Sequence, residues 1–325
     1  MKMSQGLVRA AALFTLALVT EGAVAQWSPT QSIRMLTPYA PGGAADIVAR
    51  IVADKLSPAL GQPVVVENRG GAGGIIGTEL GAKAPPDGHT LIFGSDPPYT
   101  INPHLQKVPY DPLKAFEHVS LTVNVPLLLV VNPTRVPMAG VKELVAAARA
   151  NPGKYTIASS GNGSSGHLAA ELFKSLAGIN LVHVAYKGQA PANTDVLGGQ
   201  VDMTFTSVGA SLQHLKTGRL KALAISTARR FPGLPDLPTM SESGVTGYDI
   251  GVWLGASYPA GTPRAAVERI NAEINKMLEM PDVRARLDTL GYVPAGGRPE
   301  VLARRIESDY ALFGKLIREN NIKGE

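Results

Sequence analysis

From Ser32 onward one pattern repeats along the chain: a short apolar run, a glycine-bearing turn, then an amphipathic stretch. Ile33 to Thr37 predicts a buried strand and Pro41-Gly42-Gly43 a turn. A helix follows from Ala44 to about Leu60, with Ile47, Ile51 and Leu56 at helical spacing. Val64-Val65-Val66, Thr90 to Gly94 and Phe116 to Thr122 predict further strands, and the glycine-rich run Gly70 to Gly74 leads into a second helix. Such alternation builds a parallel sheet covered by helices. A second set starts at Leu127 to Val131 and continues through helix and strand to Leu220 to Ile225. After Pro232, Pro235 and Pro238 comes a strand from Gly251 to Tyr258, then helices opening at Pro263, Pro281 and Pro299. Proline suits the first turn of a helix, where its missing N–H costs nothing.

At 325 residues the chain exceeds the ~150 residues of a typical domain, so two domains are expected. The two β-α sets predict an α/β protein of two lobes, each a mainly parallel sheet flanked by helices, joined by a two-strand hinge with the ligand in the cleft. With crossings near Asn124 and Asp249, the first domain takes residues 26–124 plus 250–325, and 125–249 form an inserted second.

The first residues set the compartment. Lys2 and Arg9 precede an apolar run from Ala10 to Val19, and Ala23-Val24-Ala25 offers the small residues of a cleavage site. This order predicts a secretory signal peptide, residues 1–25, cleaved after Ala25. The run is much shorter than the roughly 20 residues of a spanning helix. There is no cysteine for a lipid anchor, so a protein free in a periplasm is expected. The formal net charge is +5, but the basic residues are scattered and aromatics sparse, which argues against nucleic acid.

Ligands of open parallel sheets sit at the carboxyl ends of strands, where helix N-termini point. Two loops suit an anion there. The first is Thr37 to Asp46, in which Tyr39, Ala40, Gly42 and Gly43 bring backbone N–H groups to the start of a helix. Asp46 lies in that helix's first turn, either steadying it or accepting from an amino group or water. The second is Ser159 to His167, where Ser160, Gly161, Ser164 and Ser165 combine open backbone with hydroxyl donors. If both face one cleft, they form a carboxylate pincer that needs no arginine. His167 either donates to the ligand or makes a structural hydrogen bond. Ser95, Tyr186, Lys187 and Ser207 follow or end strands and are further candidates, with Lys187 the electrostatic one.

The chain resembles the Bug family, periplasmic receptors of tripartite tricarboxylate transporters. The resemblance rests on Pro38-Tyr39-Ala40-Pro41-Gly42-Gly43 with Asp46 and Arg50, on Val64-Val65-Val66-Glu67-Asn68-Arg69, and on Pro86-Asp87-Gly88-His89. Asn102-Pro103-His104-Leu105, Ser160-Gly161-Asn162-Gly163-Ser164, Tyr186-Lys187-Gly188 and Pro259-Ala260-Gly261-Thr262-Pro263 extend it over essentially the whole chain after the signal. It implies the two-lobed, hinge-closing fold of type II periplasmic binding proteins and a small carboxylate or amino-acid ligand. It also implies delivery to a membrane permease, with no cofactor or metal. In the family the first loop holds one carboxylate through backbone and ordered water. Two positions depart: Asp96-Pro97-Pro98-Tyr99 carries acid and prolines where small residues are usual, and Tyr258 stands where alanine is commoner. The first would reshape the pocket.

Gly161 to Gly166 reads as an intact G-x-G-x-x-G between strand and helix, the pattern of dinucleotide-binding enzymes. No acidic residue ends the next strand, where Tyr186 and Lys187 stand instead of a ribose-binding carboxylate. Neither a G-x-S-x-G elbow, a Walker loop nor H-E-x-x-H occurs, and the six histidines are scattered. The residues favour a monomeric binding protein over an enzyme, and a sensor feeding a signalling partner stays open as an alternative.

Overall fold

The computed structural model describes residues 27–323; the expected signal peptide lies outside them. The first sheet holds β1 (Ile33–Thr37), β2 (Val64–Asn68), β3 (Thr90–Ser95), β4 (Phe116–Val125), β10 (Val252–Pro259) and β11 (Val293–Pro294), in the order β11-β4-β10-β3-β1-β2. The second holds β5 (Leu127–Val131), β6 (Thr156–Ser159), β7 (Val182–Ala185), β8 (Met203–Ser207) and β9 (Lys221–Ile225), in the order β7-β6-β8-β5-β9. Each sheet belongs to one lobe.

The strands run mainly one way, as expected, and each lobe's long exception has a physical reason. β1, β2 and β3 are parallel, and β10 runs against both β3 and β4. In the second lobe β6, β7 and β8 are parallel, and β5 runs against β8 and β9. β10 and β5 are the strands by which the chain enters a lobe from the other one. Entry is at the cleft edge, where the parallel strands end, so an entering strand must run backwards. The two crossings lie side by side. Val125 pairs with Val252, while the Leu127 N–H donates to Ser226 Oγ at 3.0 Å and the Ser226 N–H to the Leu127 carbonyl at 2.8 Å.

Helices α1 (Ala44–Leu60) and α2 (Ile75–Ala82) follow the first two strands. α1 stops at Gly61, whose φ of +67° takes the left-handed cap that glycine allows. α2 lies so close to the first loop that a Cβ at Gly77 would stand 2.6 Å from Pro38 Cα, so the glycine run serves a tight turn and close helix packing. Two single-turn helices, α3 (Pro97–Thr100) and α4 (Asn102–Leu105), lead away from β3. The second lobe carries α5 (Val141–Ala150), α6 (Ser165–Ala177), α7 (Gln189–Leu197) and α8 (Val208–Lys216). α9 (Arg264–Glu279), α10 (Pro281–Leu290) and α11 (Pro299–Glu319) close the chain.

The last helix, which the expected division places with the first lobe, packs against both. Its Leu302 and Ile306 pack with Ile92, Leu121 and Trp253 of the first lobe. Phe313, Leu316 and Ile317 belong to the core of the second, together with Phe173 and Phe205. Ile101 from the first lobe joins that same core. A side-chain register of i, i+4 and i+7 along 21 residues lets one helix face serve both lobes in turn.

Candidate functional site

The cleft between the lobes encloses about 680 Å³, within the range of small-molecule sites. Tyr39, Ala44, Ser95, Asn102 and Leu105 face it from the first lobe, and Ser160 to Gly166, Gln189 and Ser207 from the second. Val125, Leu127 and Val252, the crossing strands, form its apolar floor with Phe205. Among the described residues no Lys, Arg, His, Asp or Glu lines it.

The first loop is held from behind. Asp46 accepts from the Gly42 N–H at 2.9 Å, from Arg50 Nε at 3.1 Å and Nη2 at 2.9 Å, and from Asn68 Nδ2 at 3.0 Å. Asn68 Nδ2 also donates to the Tyr39 carbonyl at 3.1 Å. Burial alone would raise the Asp46 carboxyl, but the hydrogen bonds from Arg50, Gly42 and Asn68 outweigh it and hold it below the usual range. Asp46 is thereby committed to the loop's geometry. No side chain caps α1, and the N–H groups of Ala44, Ala45 and Asp46 meet no protein acceptor among the described residues. Three donors and a helix dipole thus stay open to an anion at the cleft. Ser95 Oγ donates to Tyr39 Oη at 2.7 Å, which leaves the phenol's own proton free. Burial pushes the Tyr39 phenol well up, so it keeps that proton.

The second loop is built differently, because the Ser164 and Ser165 hydroxyls are already engaged. Ser164 caps α6, accepting from the His167 N–H at 3.2 Å and donating to the Gly161 carbonyl at 2.7 Å. His167 Nδ1 accepts from the Gly163 N–H at 3.1 Å, and its ring stacks on His183 at 3.8 Å. Burial, then the neighbouring His167, push His183 down to about 4. Ser165 Oγ donates across the lobe boundary to Asp96 Oδ2 at 2.9 Å. Asp96 is fully buried, and its Oδ1 meets no donor among the described residues. Burial and repulsion from Asp309 push its carboxyl up to about 7. Asp309 in turn accepts from Trp253 Nε1 at 2.9 Å and Arg305 Nε at 2.7 Å. A Cβ at Gly163 (φ +70°) would lie 2.3 Å from Leu105 Cδ1, so the lobes touch here too.

Of the residues singled out in the sequence, the structure brings Tyr39, Ser95, Ser160, Gly161, Ser164, Ser165 and Ser207 to the cleft wall. Ala40, Gly42, Gly43 and Asp46 lie behind Ala44 as the loop that supports it, and His167 is turned into the second lobe as a structural hydrogen-bonding group. Tyr186 and Lys187 are corrections. Tyr186 Oη bonds Asp195 at 2.7 Å, and its ring packs with the apolar side of α7, while Lys187 points to solvent; neither lines the cleft. They follow β7, an edge strand, and there the chain turns outward before α7. Sequence reasoning missed Asn102 and Leu105, which a tetrapeptide motif contained without showing what they face. Gln189 was passed over beside Lys187, although it starts a helix directly after a glycine of positive φ.

A second cavity of about 610 Å³ lies within the first lobe, beside Glu117, Arg264, Glu268 and Arg298. Arg264 pairs there with Glu268 at 2.6 Å and Arg298 with Glu300 at 3.8 Å. It does not bridge the lobes.

Residues 48–322 match the family described as the tripartite tricarboxylate transporter family receptor. A UPF0065 protein encoded in the tcbD-tcbE intergenic region of Pseudomonas sp. (strain P51) is 44% identical over 292 residues, covering 90% of this chain and 87% of that protein. The structure of R. palustris Rpa4515 with adipate superposes with a TM-score of 0.80 at 35% identity, covering 91% of this chain and 99% of the other. The periplasmic binding protein BugD gives a TM-score of 0.76, also at 35% identity, over 91% of this chain and 100% of the other. These likenesses are to solute-binding receptors, not enzymes, which leaves the G-x-G-x-x-G run as the turn into α6. The chain belongs to the tripartite tricarboxylate transporter receptor family, the Bug family, and has its two-lobed binding-protein fold.

Proposed function

We propose that this protein is a periplasmic receptor that captures a small organic carboxylate between its lobes and delivers it to a tripartite tricarboxylate-type permease. It acts as a monomer, exported with residues 1–25 removed after Ala25. The lobes, residues 26–124 plus 250–325 and 125–249, are the moving units. The observation that carries the reading is the uncapped N-terminus of α1 opening into a cleft without charged side chains. An anion there satisfies helix donors that otherwise lack partners and meets no carboxylate in the cleft lining, the Asp46 carboxylate on the same turn being paired with Arg50. Tyr39, held by Ser95, adds a phenolic donor, and Ser160 and Ser207 add hydroxyls. The second lobe then completes the site, and closure follows as a population shift toward the liganded form. The adipate bound to the R. palustris relative is a carboxylate of the expected kind.

Thermal unfolding against a panel of carboxylates and amino acids tests this, using protein stripped by unfolding and refolding. A ligand at 100 times its Kd adds about 2.7 kcal/mol and shifts the transition visibly upward. Stabilisation by carboxylates and by no uncharged analogue is the expected result. A flat response to every acid would remove the reading.

A further inference from the structure

Inside the cleft the polar side chains differ in whether their orientation is fixed. Gln106 and Asn162 are exposed and can turn to suit either a donor or an acceptor. Ser160 and Ser207 carry hydroxyls that rotate. Asn102 and Gln189 are different, because the protein holds each amide by its nitrogen. Asn102 Nδ2 donates to the Gly73 carbonyl at 3.0 Å, and a carbonyl can only accept, so the amide cannot turn over and Oδ1, beside the second N–H, is left without a donor among the described residues. Asn102 is 7% exposed and lines the cleft.

Gln189 is fixed by a relay. Thr204 Oγ1 gives its proton to the Ala158 carbonyl at 2.9 Å. It therefore accepts from Gln189 Nε2 at 3.3 Å, and the same nitrogen donates to Asn193 Oδ1 at 2.9 Å. Asn193 Nδ2 continues the chain to Thr206 Oγ1 at 3.3 Å. Turning the Gln189 amide over would set its oxygen against the lone pairs of Thr204 Oγ1. Oε1 is thus held toward the wall by Gly166, 4.0 Å from where a Cβ of that residue would stand. The free N–H groups at the start of α6 lie on the same wall. A ligand atom there meets donors and a fixed acceptor together, the surroundings of a hydroxyl, which both donates and accepts, rather than of a carboxylate.

We infer that this receptor selects a monocarboxylate whose far end carries a hydroxyl group, and discriminates against the matching dicarboxylate. The inference rests on the carboxylate reading above, with the carboxylate on the first-lobe loop. Asn102 and Gln189 are its specificity-determining residues. A second carboxylate would face two oxygens that cannot turn away, with no cation in the lining to offset them. A donor-bearing group would satisfy them. Sites that present fixed polar partners reject ligands that leave those partners unpaired.

Isothermal titration calorimetry of the refolded protein with two matched triads tests this. One is hexanoate, ω-hydroxyhexanoate and adipate; the other is benzoate, para-hydroxybenzoate and terephthalate. The triad is rebuilt on the skeleton of the strongest acid if the thermal panel favours another. The hydroxy acid should bind at least about tenfold more tightly than its diacid and its unsubstituted parent. Gln189→Leu should reduce that ratio to within about threefold. A diacid that binds as tightly as the hydroxy acid, or more so, overturns the inference while the carboxylate reading stands. A hydroxy acid no better than its parent does the same. Failure of every acid in the panel overturns both.

Discussion

The two loops that meet across the cleft look alike in sequence, both glycine-rich turns into a helix, yet they are finished differently. In the first, side chains work behind the loop and leave the helix end bare: Asp46, Arg50 and Asn68 brace it, and Ala44 and Ala45 offer N–H groups to the cleft. In the second, side chains occupy the helix end themselves. Ser164 caps it, and Ser165 reaches over to Asp96 in the other lobe. An uncapped N-terminus attracts an anion, and a capped one has less left to give. This contrast supports the first loop as the proposed anion site, while Ser165 ties the second loop to the other lobe. Similar glycine patterns can serve capture and closure, and the placing of one or two polar side chains decides which.

The largest effect should come from filling the bare end. Ala44→Asp puts a carboxylate against the three open donors and should weaken carboxylate binding about a hundredfold or more by calorimetry. The same charge at Ser164, already a cap, should cost far less affinity. Equal losses at both positions would erase the distinction between the loops.

Next is the interlobe contact. Asp96 has a folded pKa raised to about 7, above its unfolded value, so the folded protein holds the proton more tightly. Its contribution is fully present below the ordinary carboxylate range and is lost as pH rises to about 7. Asp96→Asn keeps an acceptor for Ser165 without the charge. It should flatten the fall in stability between pH 4 and 7 and stabilise the protein at pH 8 by on the order of 3 kcal/mol, measured by urea unfolding. An unchanged pH profile would show that this carboxyl is not the buried acid of the interface.

The brace behind the first loop should show the opposite sign. Asp46 is held below the usual range, so its stabilisation is present at neutral pH and is lost only as pH falls through that depressed value. Asp46→Asn should cost about 2 kcal/mol at pH 7 and weaken ligand binding as well, since the loop that presents Ala44 loosens. Loss of stability with affinity intact would mean the brace is not coupled to the anion site. The smallest effect is that of Ser164→Ala, about 1 kcal/mol of stability from the lost cap, with carboxylate affinity nearly kept.

Much of the architecture was readable because it is periodic. The helix from Ala44 to Leu60 and the strand Ile33 to Thr37 fall where apolar spacing and glycine placed them. Both loops were recognisable as helix starts. What the pattern did not carry was long-range pairing. The Ser165–Asp96 bond joins residues 69 positions apart, and nothing local at either marks the other. Orientation was equally hidden. Lys187 looked electrostatically suitable but points to solvent, whereas neutral Gln189, two positions on, faces the cleft because Thr204 and Asn193 hold its nitrogen. The C-terminal helix was assigned to one lobe because its amphipathic spacing shows a buried face but not what buries it.

The decisive measurement is a crystal structure of the complex with the acid that binds most tightly. Its carboxylate should lie at the start of α1, bonded to the N–H groups of Ala44, Ala45 and Asp46 directly or through one water. A carboxylate seated instead on the Ser165 and Gly166 N–H groups of α6, with the first loop empty, would contradict it.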